Sequence, residues 1–286
     1  MKLLRYGPIG HERPGLLDGE GRIRDLSGHV ADITPEVLCP ESLARLRRID
    51  LGGLPLVPDT VRIGPPLSRV GKFLAIGLNY RKHAIESGMP IPEQPVLFPK
   101  WTSCISGPDD DVTIPYAGCQ LDWEVELCIV IGSRAQRVSV ADAPRHIAGY
   151  CLSNDVSDRN YQFNGGAGQW GKGKGFDGFG PIGPCLVTSD EVGDPQALDL
   201  WLKVNDELVQ NASTSDMIFG CAEIVSHCSR FMTLEPGDLI ITGTPSGVGM
   251  GMKPPRYLQA GDVVTLGISG LGSQRQRIKA PPAQPD

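Results

Sequence analysis

Asp122-Trp123-Glu124-Val125-Glu126-Leu127-Cys128-Ile129-Val130-Ile131 is the stretch from which the rest of the chain can be read. Its second half is a short apolar run rich in β-branched residues. Its first half alternates carboxylates with apolar side chains, and period-two alternation is the signature of a strand. On one continuous strand Asp122, Glu124 and Glu126 share a face, and Trp123, Val125 and Leu127 share the other. Three like charges on one face repel, and burying them unpaired is costly. A divalent cation would resolve both problems, and an oxygen-only ligand set favours Mg²⁺, Mn²⁺ or Ca²⁺ over zinc. The same spacing also suits an exposed acidic face on an edge strand.

Similar short apolar runs recur on either side: Phe73 to Ile76, Gly149 to Leu152, Leu200 to Val204, Leu239 to Thr242 and Val263 to Ile268. Gly, Pro, Asp and Ser punctuate them. Glycine (36) and proline (25) make up about 21% of the 286 residues, against a usual ~12%. The excess has no period, which excludes collagen and points to a turn-rich β fold. We therefore expect an α+β chain, mainly antiparallel β with a few helices, arranged as a barrel or roll. Residues 1–66 read as a small N-terminal unit, with alternating segments at 2–6, 13–17 and 22–26 and a turn at Asp18-Gly19-Glu20-Gly21. A helix opens at Pro40, and Gly52 to Pro66 has the composition of a linker. Residues 67–280 form the main domain, and 281–286 a tail. Met217, Ile218, Cys221, Ile224, Val225 and Cys228 fall at helical spacing, so Ser215 to Met232 is expected as an amphipathic helix.

The net charge of −6 lacks the basic excess of a generic nucleic-acid binder. No apolar run approaches 18 residues and the N-terminus has no apolar signal core, so no membrane partner is expected and a cytoplasmic location is the default. None of the eight cysteines forms a C-x-x-C pair, which argues against a zinc or thioredoxin motif.

Further segments carry chemistry. Ser153-Asn154-Asp155-Val156-Ser157-Asp158-Arg159 follows an apolar strand, so Asp155 is well positioned to complete a carboxylate triad; a helix cap or turn is the competing reading. His83 and Glu86 are i, i+3 and share a face on a helical turn, where Glu can orient an imidazole that activates water; a surface contact has the same spacing. Gly166-Ala167-Gly168-Gln169-Trp170-Gly171-Lys172-Gly173 nearly matches a P-loop, but Gly173 lacks the hydroxyl that binds Mg²⁺ and no strand clearly precedes it. Gly243-Thr244-Pro245-Ser246-Gly247-Val248-Gly249 follows a strand. Its N–H groups and the Thr244 hydroxyl suit an anion such as a carboxylate, or form a plain turn. No βαβ alternation supports a Rossmann fold.

Taken together, and in order across roughly residues 70–280, these segments resemble the fumarylacetoacetate hydrolase family. The match includes Gly77-Leu78-Asn79-Tyr80 ahead of His83 and Glu86, and Lys174-Gly175-Phe176-Asp177-Gly178-Phe179-Gly180-Pro181. The resemblance implies a mixed β-roll and a homodimer or dimer of dimers. Glu124, Glu126 and Asp155 look like the three metal carboxylates, whereas Asp122 has no metal role in that pattern. His83 and Glu86 look like the water-activating pair, on a segment that often orders as a lid. Lys174 looks like the catalytic lysine, also in contact with substrate. Arg159 and Gln162 look like substrate-contacting side chains, and Thr244 like the residue holding the substrate carboxylate. Gly175, where a Ser is common, is a departure from which we expect only added loop mobility. The implied reaction is Mg²⁺- or Mn²⁺-dependent hydrolysis of the carbon 3–carbon 4 bond of a 2,4-dioxo acid to pyruvate and a second acid. The opening Met1-Lys2-Leu3-Leu4-Arg5-Tyr6-Gly7 resembles hydrolases of 2,4-dioxo-3-deoxy sugar acids such as the rhamnonate or fuconate derivative. Acylpyruvate hydrolysis, oxaloacetate decarboxylation, and isomerisation or hydration of unsaturated oxo-diacids share the same centre.

Overall fold

The computed structural model describes residues 1–164 and 168–282. The P-loop near-match therefore lies partly outside the described residues, as do residues 283–286 of the tail.

The apolar runs become strands that bury one face or both: Asp199–Val204 alternates buried and half-buried positions, whereas the two central strands are buried throughout. Val125–Ile131 and Ile147–Asn154 are buried at every position and pair antiparallel at the centre of an eleven-stranded sheet. Its main path runs Ile23–Asp25, Arg13–Leu17, Lys2–Tyr6, Gly180–Thr188, Ile147–Asn154, Val125–Ile131, Leu239–Ile241, Phe73–Gly77, Val96–Lys100. Most neighbours are antiparallel, but Leu239–Ile241 runs parallel to Phe73–Gly77, so the sheet is mixed. Pro99 sits in the terminal strand, where a missing N–H does not break a ladder on both sides. Lys2–Tyr6 pairs with Gly180–Thr188, so the sheet continues from residues 1–66 into the rest of the chain.

A second sheet of five strands (Glu207–Ser213, Asp199–Val204, Val263–Ile268, Gly272–Lys279, Val112–Thr113) packs against the first, giving a sheet-dominated α+β fold. Among the described residues no helix is long and apolar enough to cross a membrane. The helix expected to open at Pro40 spans Pro40–Leu46.

Two expectations are corrected. The stretch 122–127 is not one strand: Leu121–Asp122 pairs with Ser157–Asp158 in a separate two-stranded ladder, and the central strand starts at Val125. The helix expected over Ser215–Met232 begins only at Cys221 and ends at Phe231. Residues 217–219 are instead held out of the helix, because Asn79 Oδ1 accepts from Phe219 N at 2.8 Å and its backbone carbonyl accepts from Ile218 N at 2.8 Å. Tertiary hydrogen bonds override the helical pattern there.

Where the two central strands meet Gly180–Thr188, a Cβ on Gly149 would lie 2.1 Å from the Val187 carbonyl oxygen. Gly149→Ala must push the strands apart, and overpacking of this kind costs roughly 1–3 kcal/mol. The urea midpoint should fall accordingly, and an unchanged midpoint would show that this close approach does not exist in solution.

Candidate active site

Strand register builds the centre. Val125 faces Asn154 and Glu126 faces Ser153. One step past the ladder, Asp155 N donates to the Glu124 carbonyl at 2.9 Å. Glu124 and Glu126 are two residues apart and so share a face, and Asp155 sits across from Glu124 on that same face. Their carboxylates lie within 4.8 Å of one another, and all three are buried.

Three buried cations answer them. Lys174 Nζ donates to Glu124 Oε2 and Asp155 Oδ2, both at 2.7 Å, and to Ser157 Oγ at 2.8 Å. Arg159 Nη2 lies 2.7 Å from Glu124 Oε1, its Nε donates to Asp122 at 2.8 Å, and its Nη1 donates to Gln162 Oε1 at 2.7 Å. Lys100 Nζ donates to Asp155 Oδ1 at 2.6 Å and to the Lys174 and Phe179 carbonyls. Glu126 differs: its recorded hydrogen bond comes from Gly243 N at 2.6 Å, and among the described residues it pairs with no cation.

The titration behaviour follows. Burial pushes Glu124 up, but Lys174 and Arg159 outweigh it and hold its carboxyl well below the ordinary range. Burial and repulsion from Asp155 and Glu124 drive Glu126 well above that range. Burial acts to lower Lys174, yet Asp155 and Glu124 raise it overall, so its ammonium is a fixed charge.

Lys174 reaches the carboxylates because a helical turn, Trp170–Lys174, runs tight against residues 158–162. A Cβ on Gly173 would lie 2.5 Å from both Asp158 O and Gln162 N, so only glycine permits this approach. Gly175 likewise lies under Trp101, whose Cδ1 would be 2.2 Å from an added Cβ. The glycine here makes room for an indole rather than merely loosening a loop.

His83 lies on the helix Arg81–Glu86, with Nδ1 3.3 Å from Glu86 Oε2. Glu86 in turn accepts from Gly247 N at 3.0 Å. The turn leading to this helix is held by Asn79, whose amide donates to the Thr242 and Phe219 carbonyls. Leu78 takes φ 55 there, a left-handed conformation that costs a side-chain-bearing residue about 1–2 kcal/mol.

The glycine-rich loop after Leu239–Ile241 does bind carboxylates, but the protein's own. Gly243 N holds Glu126, Gly247 N holds Glu86, and Gly249 N and Met250 N hold Asp122 at 2.7 and 2.9 Å. Asp122 is thus turned onto this loop and Arg159, away from the triad, because the strand breaks at Trp123-Glu124. The Thr244 hydroxyl donates to the Val125 carbonyl at 3.1 Å and accepts from Gln210 Nε2 at 2.9 Å. A substrate carboxylate would have to compete for that single proton.

All nine residues singled out in the sequence for this site converge. His83, Glu124, Glu126, Asp155, Arg159, Gln162, Lys174 and Thr244 line one cavity of about 280 Å³, and Glu86 holds His83 from behind.

The profile of the fumarylacetoacetate (FAA) hydrolase C-terminal domain matches residues 72–279. This chain belongs to the fumarylacetoacetate hydrolase family. A Burkholderia multivorans relative, designated no further than as a hydrolase, is 58% identical over 281 residues, covering 98% of this chain and 99% of its own. The structure of a probable 2-hydroxyhepta-2,4-diene-1,7-dioate isomerase from Mycobacterium abscessus superposes with TM-score 0.84 at 34% identity, over 100% of both chains. Maleylpyruvate hydrolase from Sphingobium sp. SYK-6, solved with manganese(II) and pyruvate, superposes with TM-score 0.82 at 29% identity, over 99% of this chain and 100% of that one. The fold and the hydrolase-type enzyme class of this family member follow from these likenesses.

Three residues of this family member escaped the sequence reading: Lys100, Gln210 and Asn79 in its clamping role. A lysine directly after Phe98-Pro99 in an apolar strand was the available signal for the first. Gln210 Oε1 accepts from Val125 N and its amide fixes Thr244, so it joins the second sheet to the site. Lys100→Met strips Asp155 of a buried partner and should cost about 3–5 kcal/mol. In urea unfolding, the double variant with Asp155→Asn should lose less than the two single losses combined; additive losses would show that the pair is not coupled.

Proposed function

We propose that this chain hydrolyses the carbon 3–carbon 4 bond of a 2,4-dioxo acid to pyruvate and a second carboxylic acid, with Mg²⁺ or Mn²⁺ held by Glu124, Glu126 and Asp155. The reading rests on one observation: a buried three-carboxylate cluster and a carboxylate-oriented histidine face the same cavity. The residues suit a divalent ion. Four linked carboxylates, counting Asp122, are met by three cations, and the unpaired one is Glu126. A doubly charged ion bound to the ionised Glu126 would leave the cluster with one positive charge in excess, which would attract an anionic substrate. When bound, it supplies Lewis-acid polarisation of the substrate's carboxylate and 2-oxo oxygens.

The chain's own residues do the rest. Glu86, anchored by Gly247, holds His83 through Nδ1, so the other ring nitrogen is free to take a proton from water. The water oxygen bonds to carbon 4. The carbon 3–carbon 4 bond breaks with its electron pair going to carbon 3, which then takes a proton and completes pyruvate. Lys174 stays charged throughout and offsets negative charge building on the oxygens beside it.

Isomerisation of an unsaturated oxo-diacid is the second reading, supported by the likeness to the M. abscessus protein. It releases no pyruvate. A 2,4-dioxo-3-deoxy sugar acid is the natural candidate among hydrolysed substrates and would give lactate as the second product from the rhamnonate derivative.

Pyruvate should appear from 2,4-dioxopentanoate or 2,4-dioxo-3-deoxy-rhamnonate with Mg²⁺ or Mn²⁺, and not after chelation. His83→Ala should lower kcat by about 10²–10⁴-fold while leaving Mn²⁺ affinity nearly unchanged. Pyruvate from oxaloacetate alone would replace hydrolysis with decarboxylation.

The raised pKa of Glu126 gives a signed pH dependence. The ion binds only the carboxylate form, so Mn²⁺ affinity should rise with pH until Glu126 is ionised, with protons released on binding below that point. Calorimetry in buffers of different ionisation enthalpy reads this directly. Glu126→Gln should abolish the release, and a pH-independent affinity in the wild type would show that Glu126 carries no proton for the ion to displace.

A further inference from the structure

The side of the cavity away from the carboxylates is apolar. Phe98 and Trp170 meet edge to face with centroids 5.4 Å apart, and Phe163 meets Trp170 at 6.4 Å. Trp170 packs so closely on the strand that a Cβ on Gly77 would lie 2.3 Å from its ring. The Lys174 ammonium lies 5.7 Å from the Phe98 centroid, so this wall begins where the charged centre ends. Leu78 and Met89 complete it.

The basic side chains lining the cavity among the described residues are His83, Arg159 and Lys174. Lys174 has all three ammonium donors engaged; Arg159 is tied to the carboxylate end of the cavity by Asp122, Glu124 and Gln162, and its buried Nη2, which makes no hydrogen bond, lies at that end beside Glu124. Residues 165–167 are Gly-Gly-Ala in sequence and bring no charge. A second carboxylate at the far end of a substrate would lie against aromatic faces with no counter-ion. Desolvating it there is unfavourable, whereas an alkyl end gains from contact.

We propose that this cavity selects 2,4-dioxo acids whose acyl group beyond carbon 4 is short and uncharged, and discriminates against those ending in a second carboxylate. The proposal rests on the hydrolase reading above. It sets this chain apart from the maleylpyruvate and heptadienedioate proteins it resembles in fold, whose named substrates are diacids.

The test compares 2,4-dioxoheptanoate with 2,4-dioxoheptanedioate, equal in length and differing only in the terminal carboxylate. With Mn²⁺ and the full chain, kcat/KM for pyruvate release should favour the monoacid about tenfold or more. Phe163 is 43% exposed at the mouth, so Phe163→Arg can add a cation with little burden on folding. It should raise turnover of the diacid at least about threefold and narrow the ratio. Equal turnover, or a preference for the diacid in the wild type, overturns the proposal. So does a wild-type preference that Phe163→Arg leaves unmoved, because the acyl group would then not lie on this wall. If no dioxo acid releases pyruvate, the hydrolase reading fails by itself. Binding of the two acids, followed by quenching of tryptophan fluorescence, then decides the preference separately: about tenfold tighter monoacid binding upholds it, and equal binding sinks it.

Discussion

Carboxylates held out of water at the end of two central strands govern the rest of this structure. Burying four of them together is affordable only if each finds compensation in a fixed direction. Arg159, Lys174 and Lys100 supply charge, and the backbone of residues 243–250 supplies N–H groups. The loop then serves two elements at once. It anchors Glu86, and through it His83, while also gripping Glu126 and Asp122. The spacing between the carboxylate cluster and the histidine is therefore set by one short segment of backbone, whose own strand lies between Val125–Ile131 and Phe73–Gly77.

The incompleteness of that compensation is as informative as its strength. Lys174 and Arg159 flank Glu124, and Lys100 and Lys174 share Asp155, but Glu126 meets only an amide. A centre designed purely for stability would have balanced it or replaced it with an apolar residue. Leu78, held in a left-handed conformation beside the same cavity, is a second local cost. Costs of both kinds accumulate where chemistry is done.

The strands were legible because burial on both faces leaves continuous apolar runs, and Val125–Ile131 and Val263–Ile268 appear in sequence nearly as they fold. The convergence of the trio Glu124, Glu126 and Asp155 was legible because strand alternation and a strand-end Asp are local patterns. Its fourth apparent member, Asp122, was not, since the break at Trp123-Glu124 depends on pairing with Ser157–Asp158, far along the chain. The premature start given to the helix at Cys221 has the same origin: Asn79, some 140 residues earlier, claims the backbone of 218–219. Lys100 looked like any lysine at a strand end. Only the Lys174 and Phe179 carbonyls and Asp155 reveal it as an interior residue.

The two sides of the cavity differ in how freely they can change. Glu124, Asp155, Asp122, Arg159, Lys174 and Lys100 form one linked set, so a substitution among them propagates through neighbours. Phe163 and Met89, by contrast, are 43% and 41% exposed and lie at the mouth. They can be exchanged one at a time with small effects on folding. Inheritance and innovation are thus physically separated: the interlocked half resists any single change, and the exposed half can drift one residue at a time without disturbing the charged centre.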